Sequence, residues 1–211
     1  MVEYKINVSD RFKGVDPVDI KSIINEETLP FDVMILNLRD GRNAGNIVRV
    51  CNLTGVDKVV VLGRKKFEKT GSVGAHHYTK IERIAAIPNS DYIDFEKLEE
   101  ADNVIDTEIF SNYITSNNYL PVFVEQTEDA LVATTQNIQT VIQCASSTGK
   151  KPIFIFGNES FGIPKNILQT RFLFPCSYVL QLQQRGCIRS HNVANCCSII
   201  CYKVMEILTE F

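Results

Sequence analysis

Short runs of apolar, β-favouring residues alternate along this chain with segments whose apolar positions recur at helical spacing. The runs are Phe31 to Leu38, Lys58 to Leu62, Leu120 to Val124 and Pro152 to Phe156. Val33-Met34-Ile35-Leu36 and Ile153-Phe154-Ile155-Phe156 are apolar throughout, which suits strands covered on both faces. Between the runs the pattern predicts helices over Asn43 to Leu53, Thr107 to Thr115 and Thr134 to Ser146, the last stopped by Gly149 and Pro152. A final helix should start near Ser190. From Val193 to Leu208 it is apolar around most of its circumference, so burial against the sheet or a second subunit is expected. The alternation predicts an α/β fold with a mainly parallel sheet and helices on both faces. Residues 1–30 are more polar, with one helical stretch from Pro17 to Asn25, and read as a short extension to a single domain over residues 31–211.

Charge and composition narrow the classes. A formal net charge of −3 excludes a protein that coats nucleic acid by charge alone, so nucleic-acid contact would need a local patch. Arg64, Lys65, Lys66 and Lys69, followed by His76, His77 and Lys80, form the one candidate; a solvated loop is the plain alternative. No stretch of about 18 apolar residues could span a membrane, and the first thirty residues lack the succession of a signal peptide. A soluble cytoplasmic protein is expected. The seven cysteines include Cys196, Cys197 and Cys201 in one apolar segment, where they read as small buried hydrophobes in a reducing compartment. A zinc site from Cys187, His191, Cys196 and Cys201 is conceivable, but no Cys-x2-Cys knuckle is present, and no metal is expected.

Three loops concentrate polar residues where strands end. The first runs from Asn37 to Arg49. Asn43 is placed to cap the helix, and Arg49, flanked by Ile47, Val48 and Val50, is expected to hold its guanidinium near the sheet edge. The second, Gly157-Asn158-Glu159-Ser160-Phe161-Gly162-Ile163-Pro164, sets one carboxylate between two glycines that permit close backbone approach. It is neither a dinucleotide fingerprint nor a P-loop. The third, Leu180 to Ala194, places Ser190 at the expected N-cap and Asn192 in the first turn of the last helix, whose positive end favours an anion. Taken alone, the first and third loops read more simply as ordinary helix capping, and the second is weak evidence for a ligand.

Taken jointly, the three loops resemble the three motifs of SpoU-type RNA methyltransferases of the SPOUT superfamily. The match spans Phe31 to Leu208: Asn43 and Arg49; Gly157, Glu159 and Gly162; Gly186, Ser190 and Asn192. Gly71-Ser72-Val73-Gly74-Ala75 is similar to the family's Ser-x-Gly-Ala segment. The resemblance implies a C-terminal trefoil knot, which no sequence rule predicts. It also implies a homodimer and S-adenosylmethionine held by backbone around Val124, Glu125, Gly157, Leu182, Ser190 and His191. The implied reaction is methylation of an RNA ribose 2′-hydroxyl, in tRNA or rRNA and not DNA, with Asn43, Arg49, Glu159, Ser190 and Asn192 as the catalytic set. Few residues precede the first motif, which tilts the expectation toward tRNA. Gln183 stands where many members have proline, which loosens the cofactor loop. Two rival readings are a non-catalytic RNA-binding protein of the same fold and a doubly wound nucleotide-binding enzyme, the latter disfavoured by the form of the glycine loops.

Overall fold

In the computed structural model, residues 8–63, 68–87 and 105–209 are described. Three members of the basic run, Arg64, Lys65 and Lys66, lie outside them. Helix α1 (Pro17–Glu26) opens on Pro17, with Asp16 accepting a hydrogen bond from Val18 N. Then come β1 (Leu29–Leu36), α2 (Gly41–Leu53), β2 (Val56–Leu62), β3 (Lys80–Ile84), α3 (Thr107–Ser116), β4 (Tyr119–Val124) and β5 (Leu131–Val132). The chain ends with α4 (Thr135–Ser147), β6 (Lys151–Phe156), α5 (Lys165–Gln169), β7 (Tyr178–Gln181) and α6 (Val193–Thr209).

The sheet runs β3-β2-β1-β6-β4-β7-β5 and every pairing in it is parallel, as the alternating pattern predicts. Alternate residues of one strand serve opposite faces. Val33 and Ile35 pack with α2, α4 and α6, whereas Met34 and Leu36 pack with α3 and α5. Helix α6 buries Val193, Ala194, Cys197, Ile200, Cys201, Val204 and Ile207, fulfilling the expectation of a buried final helix. Among the described residues, no helix is long and apolar enough to cross a membrane.

Strand β7 is inserted between β4 and β5, two strands that precede it and follow each other in the chain. β1 starts two residues before the apolar run, and it ends two residues before the run does, where Asn37 adopts φ 47° and stops the extended backbone. Strands β3, β5 and β7 have no counterpart among the four apolar runs.

The amino ends of the strands are tied by a charged network. Asp32, fully buried on β1, accepts from Lys58 N at 3.0 Å, from the Tyr119 hydroxyl and from Lys151 Nζ at 2.6 Å. Asp57 is held by Lys151 and by Lys80 at 2.6 Å. Burial opposes ionisation of Asp57, but these two lysines outweigh it and hold its pKa down to about 2. The ordinary aspartate value is about 4, so this stabilisation is complete above about pH 4 and is lost as pH falls toward 2. Asp57→Asn is therefore expected to be less stable than wild type in urea unfolding at pH 6, with the two midpoints converging near pH 2.

Candidate active site

Because all strands run parallel, their carboxyl ends share one edge, and the three polar loops meet there. Asp40, not Asn43, is the N-cap of α2, its carboxylate accepting from Arg42 N at 2.8 Å. Asn43 lies in the first helical turn, so its side chain is available for other partners. Its Nδ2 donates to Glu159 Oε1 at 2.9 Å, and its Oδ1 accepts from Asn192 Nδ2 at 3.1 Å. Glu159 also accepts from Arg39 N at 2.8 Å and Asp40 N at 3.1 Å. One carboxylate thus satisfies backbone donors at the positive end of α2 and clasps the loop after β6 to the loop after β1.

The second loop is shaped by contacts that allow no side chain at its glycines. A Cβ on Gly157 would lie 2.1 Å from the Gly162 carbonyl carbon, inside backbone that cannot move aside. Gly162 has φ 67° and abuts the Glu125 carboxylate. Glu125 in turn accepts from Ile163 N at 2.8 Å, tying this loop to the end of β4. Asn158 is 4% exposed; its Nδ2 donates to Asn37 O at 2.6 Å, while its Oδ1 accepts from Ser160 N and Phe161 N in an Asx turn.

The third loop leads into α6. Asn192 caps this helix, its Oδ1 accepting from Ala194 N at 2.9 Å and Asn195 N at 3.3 Å. Ser190, the expected cap, lies two residues too early and is exposed, as is His191. The cap placement fails for the same reason in both loops: several Asx or Ser residues lie close together, and only the helix phase selects one.

The second and third loops, with the end of β4, line a cavity of about 560 Å3. Val124, Glu125, Gly157, Leu182, Ser190 and His191, the six residues expected around a cofactor, all line it, together with Glu159 and Asn192. Asn43 reaches its wall through Glu159 and Asn192. Arg49 does not join the set. It is exposed on α2 and lines a separate cavity of about 450 Å3 with Arg11, Phe12, Asn52 and Tyr78, so it is not held at the sheet edge near the other four. Cys196 also faces the larger cavity. Burial, with Cys201 and Glu125, pushes its pKa up to about 12, which leaves a neutral thiol and a poor nucleophile.

Residues missed at the sequence level are Asp40, Glu125 as a carboxylate anchor, and Asn158. The only signal for Asn158 was its place beside Gly157. The four zinc candidates do not cluster either. Among the described residues, the one group of possible metal donors is Cys51, Cys197 and Cys201, fully buried between α2 and α6 with sulfurs within 4.8 Å of one another.

An all-parallel sheet, with a glycine loop and a capped buried helix enclosing a ligand-sized cavity at its carboxyl edge, defines an α/β protein that binds its ligand at the strand ends. The model of the SpoU rRNA Methylase family matches residues 30–202, and the chain belongs to that family. No protein of curated function matches the chain in sequence. Among solved structures, the A. aeolicus TrmH/SpoU tRNA modifying enzyme is similar over 92% of this chain and 83% of its own, with a TM-score of 0.65 and 16% identity. The AdoMet-bound rRNA methyltransferase from Sinorhizobium meliloti is similar over 90% of this chain and 60% of its own, with a TM-score of 0.61 and 16% identity. AviRb from Streptomyces viridochromogenes, a SpoU methyltransferase in complex with AdoMet, gives 85% and 57%, a TM-score of 0.57 and 15% identity. At these identities the likeness is one of fold, and the chain spans under two thirds of the last two proteins.

Two substitutions test the loop architecture. Gly157→Ala is expected to lower stability by about 2 kcal/mol or more, because the clash is with backbone; thermal unfolding measures it. Glu159→Gln keeps the shape but turns one acceptor into a donor, leaving a backbone N–H of the first loop unpaired. A cost of about 1–3 kcal/mol is expected. Pairing it with Asn43→Ala in a double-mutant cycle should give less than the sum of the single effects.

Proposed function

We propose that the protein transfers a methyl group from S-adenosylmethionine to a ribose 2′-hydroxyl of RNA, with tRNA as the first substrate to test. The observation that carries this reading is that the second and third loops line one cavity and are locked to the first loop by the chain Asn192–Asn43–Glu159. Family membership supports RNA methylation, and a solved RNA 2′-O ribose methyltransferase shares the fold with a TM-score of 0.58.

The cavity fits the cofactor in size and chemistry. Its volume lies in the range of small-molecule sites. Val124, Ile163 and Leu182 offer an apolar wall for a flat base, and Gly157 and Gly162 leave backbone groups open to contact. The amino end of α6, beside Arg189 and Ser190, favours the carboxylate of an amino-acid moiety. When bound there, S-adenosylmethionine supplies an electrophilic methyl group.

The chain's own task is to place a hydroxyl in line with that methyl and to stabilise the negative charge that develops on the oxygen. Arg49 suits that charge, since a guanidinium stays protonated and aims several donors at once. Its exposure on α2, outside the cavity of its own chain, favours a homodimer in which Arg49 of one copy serves the cavity of the other. Glu159 and Asn43 hold the first loop, and Asn192 the third, so that the hydroxyl meets fixed donors.

The test is transfer of labelled methyl to bulk tRNA and rRNA, followed by nucleoside mass spectrometry. A 2′-O-methyl nucleoside is expected with wild type, and Arg49→Ala should reduce transfer by about 100-fold or more while calorimetric cofactor affinity stays unchanged. Light scattering should show a dimer for both. Tight RNA binding without transfer would assign the chain to the non-catalytic reading instead.

A further inference from the structure

Methyl transfer leaves one built feature of the sheet unused. A groove of about 490 Å3 runs along β3, the edge strand far from β7, between that strand, α1 and the turns that precede it. Lys21, Lys58, Lys69, Lys80 and Arg83 line it with Glu82. Even with Glu82 and the neighbouring Asp57 each pairing one of these cations, the groove keeps a local positive excess in a chain whose formal net charge is −3.

The cations are not equivalent. Lys58 pairs with Glu82 at 2.8 Å and Lys80 with Asp57 at 2.6 Å, which fixes the floor of the groove. Lys21 on α1 and Lys69 before the turn Thr70–Ser72 are exposed and have no ion pair among the described residues. Lys69 is nevertheless anchored through its backbone. Its carbonyl accepts from the buried Ser72 hydroxyl at 2.6 Å, and Ser72 is bonded to His76 Nδ1 at 2.6 Å. Burial, with the charges of His77 and Lys69, lowers the His76 pKa, so the groove's charge at neutral pH comes from its lysines and arginine. Two exposed lysines from separate elements, beside lysines already paired, suit a ribbon of negative charge more than a single small anion.

We propose that this groove docks the sugar-phosphate backbone of the substrate RNA away from the methylated nucleotide, with α1 forming one wall. The proposal rests on the methyl-transfer reading and adds to it a second contact surface and a role for the segment preceding β1. β3 lies three strands from β6, about 15 Å across the sheet, and a strand length of roughly 20 Å separates the groove at the amino ends from the cavity at the carboxyl ends. One RNA can therefore span the groove and the cavity. Contacts of this kind position the substrate without reading its bases.

The experiment is fluorescence anisotropy with labelled bulk tRNA across a potassium chloride series, comparing wild type with the double variant Lys21→Glu, Lys69→Glu. Loss of two phosphate contacts should weaken binding about tenfold or more near 0.1 M salt and flatten the slope of log affinity against log salt by roughly 1.5. In methyl transfer the loss should appear in KM for tRNA, with kcat at saturating RNA and S-adenosylmethionine affinity unchanged. Wild-type affinity and slope in the variant would overturn the groove and leave the methyl-transfer reading standing. If the variant also loses cofactor binding, Lys21→Gln with Lys69→Gln decides, and wild-type tRNA affinity there overturns the proposal. Wild-type protein that binds S-adenosylmethionine but no tRNA overturns the groove together with the tRNA reading.

Discussion

The carboxylate of Glu159 is the point on which the carboxyl edge of this sheet depends. The turn leading into α2 presents the backbone N–H groups of Arg39 and Asp40, which lie before the helix and outside its ladder, and the loop after β6 has little regular structure of its own. Glu159 meets both needs by accepting from Arg39 N, Asp40 N and Asn43 Nδ2. Asn43 relays the connection to Asn192, which caps α6 with its other amide atom. Three loops from three regions of the chain thereby share one hydrogen-bonded line, and disturbing any link loosens the others.

The two edges of the sheet solve opposite problems. At the amino edge, lysines, tyrosines and carboxylates on neighbouring strands neutralise one another around the buried Asp32, and the pairing fixes the strand ends. At the carboxyl edge the polar groups are held by partners from other loops and still line an open cavity. Rigid pairing at one end keeps the strand ends in register at the other. Helix α6 links these regions, because its capped end faces the cavity while its body fills the core between α2 and α4.

How much of this was legible in the chain follows from the range of each interaction. β1, β2, β4 and β6 show as apolar runs because both their faces are covered. β3 alternates Lys80, Ile81, Glu82 and Arg83 at a wet edge, and β7 is only four residues long, so neither produces a run. The cavity residues could be named through the family resemblance, and the structure gathers them in one place. The bonds that shape the loops could not, since Glu159 finds its partners 116 to 120 residues away. Arg49 was half legible. Six residues beyond Asn43, a helix has turned about two thirds of a revolution past a whole turn, which sends the two side chains to different faces.

The placement of β7 between β4 and β5 bears on how the molecule comes to exist. β4 and β5 leave the ribosome before β7 does, yet they cannot settle as neighbours, because the space between them belongs to a strand made later. The order of synthesis and the order of the sheet disagree at the very strands that border the cavity. Such non-local closure slows folding. The cavity therefore cannot close until β7 and the start of α6 have been made, and a chain interrupted before α6 has every strand of the sheet but lacks the helix that completes the cavity wall.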